Sequence, residues 1–67
     1  MRMHRIVAAE KHLDRIEVRY RKEGELRRRC YTFEEVIAME INALDLLDRP
    51  GDYAIDPEKN RIYEHYL

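Results

Sequence analysis

The sequence predicts an α+β fold: a small antiparallel sheet, in chain order β-β-β-α-β-β, with one helix packed across a face. Three observations carry the prediction. Residues 16–20 alternate apolar and charged side chains, the period-2 pattern of a half-buried strand. Thr32 to Glu35 has the form of a helix start, and Pro50-Gly51 has the form of a stop. A second turn cluster, Asp56 to Asn60, divides the remaining residues into two more short strands.

The helix is defined by local chemistry. In the T-x-x-E capping box, the Thr32 hydroxyl accepts the Glu35 backbone N–H and the Glu35 carboxylate accepts that of Thr32. Tyr31 and Val36 occupy the two positions of a hydrophobic staple, and Glu34 and Glu35 suit the positive end of the helix dipole. Phe33 through Arg49 contains no Gly or Pro, so one helix of about four turns is expected. Phe33, Ile37, Ile41 and Leu44 share one side of it. Val36, Met39, Ala43, Leu46 and Leu47 widen the apolar stripe, and Glu40 falls in its middle.

Ahead of the helix, Ile16, Val18 and Tyr20 alternate with Glu17, Arg19 and Arg21, and Leu26, Arg28 and Cys30 alternate with Arg27, Arg29 and Tyr31. A three-residue loop at Lys22-Glu23-Gly24, with Gly24 left-handed, pairs Tyr20 with Leu26, Val18 with Arg28 and Ile16 with Cys30 on the inner face. A two-residue loop sets Tyr20 against Arg27 and mixes the faces, so the three-residue loop is preferred. Arg2 to Ala9 reads as a weaker first strand, joined by the polar loop Glu10 to Asp14. Tyr53-Ala54-Ile55 and Arg61-Ile62-Tyr63 flank the last turn as a second hairpin.

The run Thr32-Phe33-Glu34-Glu35-Val36-Ile37, followed by Asp52-Tyr53-Ala54-Ile55-Asp56-Pro57, resembles a group of small bacterial domains of unknown function. In these a short sheet precedes an S/T-x-E-E-V-I helix and a Y-x-x-D hairpin. The resemblance covers about residues 30–67 and implies the same element order. It implies no activity, cofactor or site residue.

At 67 residues the chain is read as one domain, 1–67. A chain of this size buries only about 60% of the surface it exposes when unfolded. Its core supplies no more than about 3–5 kcal/mol without a staple. Cys30 is the sole cysteine, so no internal disulfide forms, and no zinc-ligand spacing occurs. No metal or cofactor is therefore expected, which leaves good packing or self-association. No apolar run exceeds four residues, so no signal peptide, membrane span or lipidation motif is read and a cytoplasmic setting is expected.

The net charge of −1 conceals a split: residues 1–31 hold ten Lys/Arg against five Asp/Glu, whereas residues 32–67 hold three against nine. Two halves that neutralise each other on packing are the simpler explanation, and a nucleic-acid surface is the alternative. For the latter, Arg19, Arg21, Lys22, Arg27, Arg29 and Tyr31 form the candidate face, with guanidinium forks for phosphates and one ring for stacking. Arg28 and Glu40, both placed on apolar faces by periodicity, are expected to meet as a buried ion pair.

Catalysis is not expected, because His4, His12, His65 and Cys30 are scattered along the chain and Cys30 points inward as an inert thiol. The terminal histidines are expected in solvent. One small sheet covers about half of the helix, which exposes Met39, Ala43 and Leu46 as a dimer interface, with Tyr63 and Tyr66 of the last strand as a second contact. The competing arrangement lays the C-terminal hairpin over that strip within the monomer. The leading reading is a non-enzymatic protein-interaction module forming a homodimer; the alternative is a nucleic-acid-binding module using the first hairpin.

Overall fold

The structure, a computed structural model, describes residues 3–64. Strands β1 (His4–Lys11), β2 (Arg15–Lys22) and β3 (Glu25–Thr32) lead into helices α1 (Phe33–Ala38) and α2 (Ala43–Asp48). A 3-10 turn (Pro50–Asp52) and strands β4 (Tyr53–Asp56) and β5 (Arg61–Glu64) follow. All pairings are antiparallel, and the order across the sheet is β3-β2-β1-β4-β5. The α+β class and the strand order along the chain are as predicted; the single helix is replaced by two.

β1 holds the sheet together and also bends it. Its first residues, His4 and Arg5, pair with Ile55 and Ala54, whereas Ile6 to Lys11 pair with Tyr20 to Ile16. Between Ile6 and Ala8 the register shifts by one residue, a bulge at Val7 that increases the local twist. The β4–β5 hairpin consequently curls over the inner face until its turn reaches the far strand. Asn60 Oδ1 accepts both Arg29 Nη1 (2.9 Å) and the Tyr31 hydroxyl (2.9 Å). Arg29 Nη1 also donates to the Pro57 carbonyl at 3.0 Å. The turn itself follows its sequence: Asp56 Oδ1 accepts the backbone N–H groups of Glu58 and Lys59, and Asn60 takes a φ of 55°. Inside the curl, Ile6, Ile16, Val18, Val36, Leu46 and Ile55 are fully buried.

The first hairpin closes on a two-residue turn, correcting the expected three-residue loop. Glu23 (φ 55°) and Gly24 (φ 80°) are both left-handed, the type I′ geometry whose twist matches the flanking strands. The register then pairs Ile16 with Tyr31, Val18 with Arg29 and Tyr20 with Arg27 on the inner face. Arg21/Leu26, Arg19/Arg28 and Glu17/Cys30 pair on the outer one. The alternative register would bury Arg28 and Cys30 beside Val18. The observed one buries Tyr31 (2% exposed) and leaves Arg28 in water, with Arg27 and Arg29 taking inner positions at the margin of the sheet. Arg29, now on the inner face, lies at its margin and is satisfied by the β4–β5 turn.

The helical segment breaks at Glu40, which adopts φ 62°. The Ile41 N–H donates to the Val36 carbonyl (3.3 Å) and the Glu40 N–H to the Ile37 carbonyl (2.9 Å), the two bonds of a Schellman ending. Val36 and Ile41 both lie in the core, as that motif favours. Asn42 then starts α2, its Oδ1 accepting the Asp45 N–H at 3.2 Å. At the start of α1 the capping box is formed as predicted, with Thr32 N–H to Glu35 Oε1 at 2.8 Å and Glu35 N–H to Thr32 Oγ1 at 3.1 Å. The break resets the helical phase, so Val36 and Leu46 point inward while Ile37 and Leu44 are 67% and 78% exposed.

Both left-handed glutamates are strained relative to Gly or Asn at the same position. Glu40→Gly is expected to raise stability by about 1 kcal/mol, or a Tm gain of about 4–8 °C. Glu23→Asn, which creates the favoured Asn-Gly turn, should act in the same direction by a few tenths of this. Thermal melts of the two variants check the broken helix and the two-residue turn independently.

Candidate interaction surface

The helices, the 3-10 turn and the curled hairpin all lie on the inner side of the sheet. On the other side, among the described residues, no helix packs over β1, β2 and β3. By alternation this side presents Val7, Ala8 and Glu10 of β1, Glu17, Arg19 and Arg21 of β2, and Leu26, Arg28 and Cys30 of β3. Val7 is 49% and Leu26 54% exposed, so two large apolar side chains stand among arginines on an open face.

Glu17 is the exception on this face, only 7% exposed. Its carboxylate is covered by its own partners: Arg19 Nε donates to Oε2 at 2.9 Å and His12 Nε2 lies 3.1 Å from Oε1. Arg19 also reaches Glu10 Oε1 at 3.1 Å. The Arg19 hydrogen bond, reinforced by His12 and by the positive field of Arg28, holds the Glu17 carboxyl below the usual carboxylate range against the cost of burial. Glu10, His12 and Glu17 place three ligand atoms within 4.8 Å of one another, a donor set that suits a divalent cation. The Arg19 guanidinium already bridges the two carboxylates, so a cation would have to displace it. The cluster therefore acts as a clasp across the β1–β2 turn.

The predicted nucleic-acid face divides. Arg19 and Arg21 lie on the outer face, where Arg28 joins them. Arg27, Arg29 and Tyr31 are on the inner side, as is Lys22, which stands opposite Glu25 at the turn. Tyr31 is unavailable for stacking: it is buried, its hydroxyl donates to Asn60, and burial pushes its pKa up to about 12. Arg27 pairs with Glu25 at 2.8 Å. The expected Arg28–Glu40 pair does not form, since Arg28 faces out from the sheet and Glu40 is exposed at the junction of the helices on the other side.

The predicted dimer strip is likewise internal. Leu46 is fully buried, and Met39 and Ala43 pack against the core. The Met39 sulfur accepts the Ile62 backbone N–H at 3.3 Å, so the C-terminal hairpin covers the strip within one chain. Tyr63 stands half-buried on the outer side with the Arg61 guanidinium 5.7 Å from its ring centre. Tyr66 and His65 lie outside the described residues. In α2, Asp45 is held by Arg49 (2.6 Å) and by the Tyr53 hydroxyl (2.6 Å); burial and the Asp45 carboxylate together raise the Tyr53 pKa.

Two chemistry-bearing residues are corrected as well. Cys30 is exposed on the outer face rather than buried. His4, expected in solvent, turns inward with its ring 5.8 Å from that of Tyr20, and its buried Nε2 has no hydrogen-bond partner among the described residues. The outer-face placement of Leu26, Arg28 and Cys30 was hidden because it depends on one residue of turn length. The signal that could have found it is the Glu-Gly pair, which fits a two-residue turn once the burial of Arg28 is weighed.

No protein-family model matches this chain, and neither curated proteins nor solved structures give a significant match. Among the described residues no helix is long and apolar enough to cross a membrane.

The depressed Glu17 pKa fixes a sign. Its contribution to stability is present above the pKa it has in the unfolded chain and is lost as pH falls through its lower folded value. Glu17→Gln should therefore flatten the acid limb of a stability–pH curve, measured by denaturant melts, while leaving the alkaline limb unchanged. The exposed thiol gives a second check. Native protein should titrate Cys30 with Ellman's reagent without denaturant; a thiol that reacts only after unfolding would contradict this register.

Proposed function

We propose that this chain is a non-enzymatic, cytoplasmic protein-interaction module that self-associates through surfaces its own fold leaves uncovered. The observation that carries the reading is the open sheet face, where Val7 and Leu26 are half-exposed within a frame of Arg19, Arg21 and Arg28. Exposed apolar side chains gathered on one face favour a partner, and partner binding adds stability to a domain whose core is small. Ile37 and Leu44 on the helical side supply further uncovered apolar surface. The interface residues differ from those predicted, because Met39, Ala43 and Leu46 are used inside the monomer. An exposed Cys30 suits a reducing compartment, where it stays a thiol.

Nucleic-acid binding is the second reading, favoured by the same three arginines on a flat surface. Among the described residues no aromatic platform stands beside them, since Tyr31 belongs to the core and Tyr63 lies across the sheet on β5. Sedimentation velocity over a wide concentration range tests the first reading: a rise in mass above 8.2 kDa is expected, and a mass that stays there at the highest concentration overturns it. Fluorescence-polarisation titrations with short single- and double-stranded DNA and RNA test the second. Binding that collapses as salt is raised supports phosphate contact, and silence at low salt removes it.

A further inference from the structure

We infer that copies of this chain associate head to tail, the helical layer of one docking on the open sheet face of the next. The inference rests on the self-association proposed above and supplies its geometry.

Charge makes the choice. On the outer face Arg19, Arg21 and Arg28 stand with Glu10 and Glu17, and Arg19 is bound to both carboxylates, which leaves Arg21 and Arg28 without an ion pair among the described residues. The helical segment, residues 33–52, carries six Asp/Glu against one Arg, a net −5. The sheet lies between the unpaired charges: Arg21 and Arg28 project from the outer face, whereas Glu34, Glu40 and Asp48 are exposed on the helical side. Arg15, Arg19 and Arg27 pair with Asp14, Glu10, Glu17 and Glu25, all from the same strands and turns. Arg21 and Arg28 on one face and Glu34, Glu40 and Asp48 on the other thus have opposite sign and stand outside the ion pairs of the described residues.

Each symmetric pairing then opposes like charges. Sheet face on sheet face brings arginines onto arginines, and helices on helices bring carboxylates onto carboxylates. Pairing through the edge of β3 lays the Arg27-Arg28-Arg29 run against its own copy, which guards that edge. Of the pairings between these two faces, the heterologous one sets Arg21 and Arg28 against Glu34, Glu40 and Asp48. It also matches apolar to apolar: Ile37 and Leu44, the exposed large hydrophobics of the helical layer, face Val7 and Leu26 of the sheet. In α2, Leu44 and Asp48 are one turn apart and lie opposite the buried Leu46, so a charged and an apolar contact share one ridge.

The contact is small. The molecule measures 29 × 21 Å across its two longest directions, so one face offers roughly 600 Å² and a face-to-face contact removes at most about 1,200 Å². That is the lower edge of a specific interface, which makes the association concentration-dependent and sensitive to salt. A heterologous contact also leaves one face of each kind free at the ends, so assembly continues into chains or a ring.

Complementation between two double variants tests the geometry. Leu26→Asp with Arg28→Asp disables the sheet face; Ile37→Lys with Leu44→Lys disables the helical one. All four positions are exposed, and circular dichroism with thermal melts verifies that both variants fold. Sedimentation velocity is run at a concentration where the parent forms oligomers. Each variant alone should be a monomer. Their equimolar mixture should give a species of two chains and nothing larger, because a single competent contact remains. Either variant retaining the parent's assembly alone, or a mixture that stays monomeric, overturns the head-to-tail arrangement while leaving self-association in place. A parent that is monomeric at every concentration overturns both.

Discussion

The two-residue turn at Glu23-Gly24 decides which side of β3 meets the core, and most of the molecule depends on that choice. With side chains alternating every residue, a turn longer by one would exchange the whole strand's inner and outer sets. The observed register delivers the Tyr31 ring to the interior and keeps Arg28 and the Cys30 thiol outside. It also brings the Tyr31 hydroxyl and the Arg29 guanidinium to the turn of the far hairpin, anchoring it on β3 through Asn60 and Pro57. The left-handed Glu23 is a local cost offset by burial of the Tyr31 ring, which the alternative register would turn out to solvent.

A core of this size is enclosed by bending rather than by adding layers. The bulge at Val7 lets one strand serve two partners at different angles, and the hairpin that leaves its first residues folds back over the interior. The helices fill what is left. Their break at Glu40 lets Val36, Ile41 and Leu46 all turn inward across a short distance, which a straight helix of four turns over so narrow a sheet would not permit. Polar groups at the margins close the seams: Asn60 with β3, the Met39 sulfur with β5, Asp45 with Tyr53.

What the sequence made legible was what short-range chemistry decides. The capping box at Thr32 and Glu35, the stop at Pro50, the left-handed Asn60 and the alternation of Ile16, Val18 and Tyr20 each rest on neighbours within a few residues, and each is present. What it concealed depended on competition between distant groups. The helix break has no Gly or Pro to mark it, and its signal is the cap Asn42 with Asp45 three residues on, weaker than the apolar stripe around it. The hairpin register turned on the burial of Arg28 against that of Tyr31, which local propensity does not weigh. The dimer strip was misplaced for the same reason: the helical stripe was wide because two elements, sheet and C-terminal hairpin, cover it from different sides.

The position of β1 has a consequence for how the chain acquires this shape. The first strand to be synthesised lies at the centre of the sheet, and His4 pairs with Ile55 near the opposite end of the sequence. The β1–β2–β3 meander is local and can form early, but one edge of β1 then stays open until β4 arrives. During that interval Leu46 and Met39 lack the hairpin that covers them. Completion of the sheet therefore waits on the β4–β5 hairpin, with the entropy of closing the long loop from His4 to Ile55 set against a pairing of few residues. A nascent or truncated chain lacking the C-terminal hairpin would present an unpaired central strand and bare helices, the kind of surface on which chaperones act and aggregates begin.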